Sequence, residues 1–182
     1  MKVLFLDIDS VLNHSTYAES LYCGKGNEFA GSQLVADGIP LCKDNIDALK
    51  HILSNVPNLK VVWATDWRLS TEPIYEGWQN PRIWLESQLW FKDVVVGNTP
   101  KKMSSTHYEE IRMWFKENEF IKKHQTCDWM RRTYIDVDDF AILDDYASNA
   151  MFSYFKEHFF QCWWDLGLTM DIASKVVDYF NR

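Results

Sequence analysis

The sequence predicts an α/β protein of three layers built on a mostly parallel central sheet. Three observations carry that expectation. Short apolar runs alternate with amphipathic helical stretches along the chain. Two of the runs, Val3-Leu4-Phe5-Leu6 and Phe140-Ala141-Ile142-Leu143, are continuous, as expected of strands buried on both faces. Each is followed by an acidic group, Asp7-Ile8-Asp9 and Asp144-Asp145, and open α/β sheets place ligands beyond the carboxyl ends of their strands.

The first run is the central strand. Side chains alternate along a strand, so Asp7 and Asp9 are expected to point the same way. Two carboxylates there repel each other and are costly to desolvate. A divalent cation relieves both problems, and hard oxygen ligands suit Mg²⁺. The plainer alternative is that both aspartates cap the following turn. Residues 14–40 then form a loop-rich excursion with Gly24, Gly26, Gly31 and Gly38. Long loops in compact domains often serve as lids, and Tyr17, Tyr22, Lys25 and Phe29 are candidate substrate contacts.

Asp44 to Asn55 reads as a helix, with Ile46, Leu49, Ile52 and Leu53 at helical spacing and Pro57 beyond its end. Lys60 to Ala64 is the second strand, ending at Thr65. The Thr65 hydroxyl suits a phosphate oxygen, although a threonine there is more often a helix N-cap. Arg68 is able to hold a phosphate bidentately, or to pair with Asp66 or another acid and brace the loop. The second use is slightly favoured.

Pro81 to Trp90 reads as a helix and Val94-Val95-Val96 as a third strand, closed by Gly97-Asn98-Thr99-Pro100. Lys101 and Lys102 follow. Thr106 to Glu119 forms a helix with Ile111, Trp114 and Phe115 on its buried face and Glu109 and Glu110 in its first turns. Residues 121–132 are polar and basic, a connector or a local anionic contact. Asp136, Asp138 and Asp139 compete with Asp144 and Asp145 as the second acidic group. The latter pair is preferred because a better buried strand precedes it. Met151 to Trp164 is aromatic and reads as another strand or a packed connection. Thr169 is the N-cap of a last helix whose apolar face is Ile172, Val176, Val177 and Phe180.

These motifs resemble the haloacid dehalogenase (HAD) superfamily. FLDIDSVLN is similar to its first motif, with Ser10 where glycine is usual, WATDWR to its second and AILDD to its fourth. More narrowly, the chain resembles the HAD domain of Swiss Army Knife RNA repair proteins. The shared features are Val11-Leu12-Asn13, Thr65-Asp66-Trp67-Arg68, Thr99-Pro100, Glu110-Ile111-Arg112-Met113-Trp114 and Gly167-Leu168-Thr169. The resemblance implies a Rossmann-like HAD fold with a small cap over residues 14–40. It implies Asp7 as nucleophile, Asp9 as general acid and base, and Thr65 with Lys102 or Lys101 on the phosphate, near Ser10 and Arg68. Mg²⁺ would be held by Asp7, Asp9, Asp144 and Asp145. The implied substrate is a phosphorylated small molecule, a nucleotide or a nucleic-acid phosphate end. Two departures stand out. Asp66 replaces the subgroup's usual serine. His107 stands where the subgroup tends to carry an arginine, three residues before Glu-Ile, with Arg112 another substitute. Together with Ser10, Asp66 and the unassigned third-motif cation favour, modestly, an alternative: a non-catalytic HAD-like binding or regulatory module.

A length of 182 residues suits a single domain, 1–182, with a full core. Hydrophobic content of 47% and charged content of 25% are those of an ordinary globular protein. A net charge of -7 argues against a broad nucleic-acid footprint, though not against a strand end held by a few local cations. Four scattered cysteines without CxxC spacing suggest reduced thiols and a cytoplasmic location. Asp7 and Asp9 interrupt the N-terminal apolar run, which argues against a secretory leader. No run approaches the ~20 apolar residues of a membrane span.

Overall fold

The computed structural model describes residues 1–17, 41–69, 80–124, 137–146 and 149–182. Its centre is a five-stranded sheet in the order β3-β2-β1-β4-β5, parallel throughout. The strands are β1 (Lys2–Leu6), β2 (Leu59–Trp63), β3 (Val95–Asn98), β4 (Asp139–Asp144) and β5 (Phe159–Gln161). Parallel neighbours require crossovers, and the crossover helices cover both faces. This is a Rossmann-like arrangement.

Period-two alternation sorts the β1 side chains between two cores. Leu4 and Leu6 join the core beneath α1 (Lys43–Asn55) and α5 (Met170–Phe180), with Ile46, Leu49, Ile52, Ala173 and Val176. Val3 and Phe5 face α3 (His107–His124) and α4 (Asn149–Phe155), with Tyr108, Ile111, Trp114 and Met151. Phe5 meets Trp114 edge to face at 5.2 Å between ring centroids. Much of the chain's aromatic content is thus spent filling core.

Helix ends follow local chemistry. Asn80 caps α2 (Pro81–Ser87) by accepting from the N–H groups of Arg82 and Ile83, with Pro81 in the first turn. This helix stops short of the expected Trp90. Gln88 takes an extended conformation, and Leu89–Phe91 forms a separate 3₁₀ turn. The aromatic stretch after residue 150 is part helix as well as strand: α4 precedes β5, and Met151 and Phe155 are set against the sheet. Thr169 caps α5, its hydroxyl accepting from Ile172 N–H. The helix α3 runs on to His124 rather than ending at Glu119. Residues 18–40, with Tyr22, Lys25 and Phe29 and most of the expected cap, lie outside the described residues, as do residues 125–132 of the basic stretch. Tyr17 is half-buried, 5.9 Å from the His14 ring.

One tie joins α1, the turn after β1 and the approach to α5. Asn45 donates to the carbonyls of Leu166 and Leu168, and Leu168 N–H donates to Val11 O. Gly167 makes this approach feasible. Its φ is +65°, and a Cβ there would come within 2.7 Å of Asn45 Oδ1 and 2.8 Å of Val11 O. Gly167→Ala is therefore expected to cost about 2–4 kcal/mol, from left-handed strain plus overpacking. Urea denaturation of the two proteins checks it.

Candidate active site

The crossover from β3 at one edge to β4 on the far side of β1 opens a crevice at the carboxyl ends of β1 and β4. Leu6 pairs with Leu143 there, so Asp7 and Asp144 emerge side by side. Both are buried. Asp7 Oδ1 accepts from Ile8 N–H at 2.7 Å, and Asp144 Oδ1 accepts from Tyr146 N–H at 2.8 Å. His107, at the start of α3, contacts both. Its Nδ1 lies 2.6 Å from Asp144 Oδ2 and 3.8 Å from Asp7 Oδ2.

Burial, and then the charge of Asp144, push the Asp7 pKa up to about 8, against the opposing pull of His107, Ile8 N–H and the Thr65 hydroxyl. Burial pulls the His107 pKa down, but the hydrogen bond to Asp144 and the charges of Asp144, Asp7 and Glu110 outweigh it and raise it to about 9. Asp7, His107 and Asp144 bring one ligand atom each within 4.8 Å of one another. The two hard carboxylate oxygens fit a divalent cation, which the His107 nitrogen can join as a ligand only when deprotonated. Asp145 lies alongside, half-buried; burial and the charge of Asp144 raise its pKa, and a hydrogen bond from Ser10 lowers it.

Asp9 is placed differently from Asp7. The strand ends at Leu6, and Ile8 O gathers the N–H groups of Val11, Leu12 and Asn13 into a turn. Asp7 is buried and Asp9 exposed. Asp9 is held from two sides: Trp67 Nε1 donates to Oδ2 at 2.8 Å and Asn13 Nδ2 to Oδ1 at 3.1 Å. Asn13 Oδ1 also accepts from Ser10 N–H at 2.7 Å. That bond and the hydrogen bond to Asp145 hold Ser10 at a φ of 56°, a conformation that favours the glycine usual in this motif.

Thr65 follows β2, fully buried and hydrogen-bonded to Asp7. Arg68 is buried beneath the same loop. Its Nη1 donates to Thr65 O, its Nε to Thr99 O at 3.1 Å and its Nη2 to Glu110 Oε2 at 2.6 Å. Every nitrogen of the guanidinium is engaged within the fold, so Arg68 ties the loops after β2 and β3 to α3. Lys101 bridges Asp66 at 2.8 Å and Glu110 at 3.2 Å. Its hydrogen bond holds Asp66 below the usual carboxylate range. Lys102 is exposed, with its backbone N–H held by Ser105. Arg112 turns to the Tyr108 hydroxyl. Among the described residues neither lysine nor Arg112 forms an ion pair with Asp7.

The crevice therefore gathers Asp7, Thr65, Asp144 and His107, with Asp9, Ser10 and Asp145 on adjoining turns. Asp138 and Asp139 lie at the opposite end of β4, Asp138 against the Met1 amino group. His107 is the site residue that sequence reasoning did not select. Its position three residues before Glu110-Ile111 was the available signal, overshadowed by the neighbouring lysines.

The family model for the HAD domain in Swiss Army Knife RNA repair proteins matches residues 3–173. Neither a curated protein nor a solved structure matches the chain. No helix among the described residues is long and apolar enough to cross a membrane.

The raised pKa of Asp7 makes a stability prediction for protein kept in chelator. The folded state holds that proton up to about pH 8, whereas an unfolded aspartate loses it near ~4. Stability tied to Asp7 is thus full below that lower value and declines as pH rises through about 8. Asp7→Asn removes this loss. It is expected to be more stable than the parent by about 1–2 kcal/mol at pH 9, with the gap closing toward pH 4. Thermal melts of both proteins across this range measure it.

Proposed function

The chain belongs to the family of HAD domains in Swiss Army Knife RNA repair proteins, a phosphatase-type hydrolase, and from that premise we propose that it removes a terminal phosphate from a nucleotide or nucleic-acid end through an aspartyl-phosphate. The observation that carries this reading is the pairing of buried Asp7 and Asp144 at the switch point of the sheet, with Thr65 and His107 beside them.

In this reading an Asp7 oxygen attacks phosphorus and the bond to the leaving-group oxygen breaks. Asp9 donates a proton to that oxygen. Water then attacks the aspartyl-phosphate, Asp9 takes its proton, and inorganic phosphate leaves as the Asp7 carboxylate is restored. The Asp7 and Asp144 carboxylates, with the Asp9 carbonyl and Asp145 beside them, would hold Mg²⁺, which supplies charge neutralisation to the transferring phosphoryl group. Thr65 offers its hydroxyl to a phosphate oxygen. His107 takes the place of the subgroup's arginine next to the nucleophile, with Lys102 and Ser10 as further phosphate contacts. Arg68 acts on the site through the loop that it braces. The non-catalytic module is the second reading, and the placement of Lys101, Lys102 and Arg112 away from Asp7 favours it; His107, 3.8 Å from Asp7, is the group that weighs the other way.

The test is phosphate release from a panel of nucleotides, phosphorylated oligonucleotide ends and sugar phosphates. Turnover is expected with Mg²⁺ and not with chelator, and is lost in Asp7→Asn. His107→Ala should lower kcat by about 10²-fold or more, and His107→Arg should retain more activity than alanine does. No release across the panel by a protein that still binds Mg²⁺ would instead make it a binding module.

A further inference from the structure

A groove of about 890 Å³ lies between the Lys102–Ser105 loop, the outward face of α3 and Phe155 of α4. Its place follows from topology. The helix α3 opens with His107, which reaches Asp144 in the crevice, and α4 follows β4, so one wall of the groove leads by chain to the crevice. Its volume is at the upper end of the roughly 300–1,000 Å³ of small-ligand clefts.

Charge sets this surface apart. The chain carries a net -7, yet among the described residues the groove is lined by Lys102, Arg112 and Lys116 against Glu109. Glu109 is engaged at the helix start, accepting from the N–H and hydroxyl of Thr106. Aromatic faces accompany the cations. Phe115 and Phe155, both half-buried, line the groove, and beside it Arg112 packs on the buried Tyr108 and on Tyr154, which is 68% exposed. Phosphates need cations at intervals and unpaired bases need flat apolar faces, the combination that binds single strands. A helix face bearing Arg112 and Lys116 one turn apart provides such an interval.

We propose that this groove binds a single-stranded nucleic acid, holding the strand whose phosphate end enters the Asp7 crevice. The proposal rests on the phosphatase reading for the direction of the strand, but binding is measured apart from turnover.

The experiment is fluorescence anisotropy with an RNA 10-mer, phosphorylated at one end and dye-labelled at the other, across a salt series. The parent protein should bind it at least tenfold more tightly than a nucleoside monophosphate competes. Arg112→Glu with Lys116→Glu should abolish that advantage, and Arg112→Gln with Lys116→Gln, which disturbs the fold least, should weaken it severalfold. The glutamine pair should also flatten the plot of log affinity against log salt by about 1.4, two phosphates at ~0.7 each. Equal affinity of parent and glutamine pair, an unchanged salt slope, or equal competition by an acidic peptide would overturn the groove as a nucleic-acid site. Binding that depends on the groove in a protein releasing no phosphate would retain the groove and remove the phosphatase reading. Phosphate release without groove-dependent binding would do the reverse.

Discussion

The electrostatic conflict between Asp7 and Asp144 organises this molecule. A parallel sheet brings the ends of β1 and β4 into register, and the sequence places a carboxylate at each end. Neither reaches solvent freely. The fold answers with His107, delivered by the first turn of α3. Packing of α3 on the sheet through Tyr108, Ile111 and Trp114 therefore also fixes an imidazole between two acids. Core and site are built from one helix, and neither could shift without the other.

Around this centre the turns are held by side chains rather than by regular structure. Asn13 grips both Ser10 N–H and the Asp9 carboxylate, and Trp67 reaches Asp9 from the loop after β2. The exposed acid is thus positioned by residues from two separate segments. Preorganisation of this kind favours chemistry because little reordering remains when substrate arrives.

The sheet, its central strand and the acidic strand ends were legible because continuous apolar runs and the charges that interrupt them are local signals. Thr169 as an N-cap was legible for the same reason. The split of the aromatic stretch into α4 and β5 was not, since aromatics suit a core-facing helix as well as a strand. Placing His107 required knowing which turn of α3 faces β4, a tertiary fact. Asp7 and Asp9 were expected on one face by strand alternation, but the strand ends before both, so the turn decides where each points. Lys101 and Lys102 looked alike in sequence. One lies in the Asp66–Glu110 network and the other on the surface, a difference that no local pattern encodes.

The ion pair between Arg68 and Glu110 has a bearing on how this sequence can change over generations. Both side chains are buried, and the pair is completed by Thr65 O, Thr99 O, Ser105 and Lys101. Losing one member of such a pair strands the other charge and costs about 3–5 kcal/mol, while exchange of both for apolar residues is often neutral. Single steps away from the pair descend into a stability valley, whereas exchange of both residues need not end lower. Drift across that valley requires two substitutions in different segments almost at once. The loop behind Thr65 is therefore constrained to change in pairs, whereas single substitutions should be borne more easily on the exposed faces of α1 and α5.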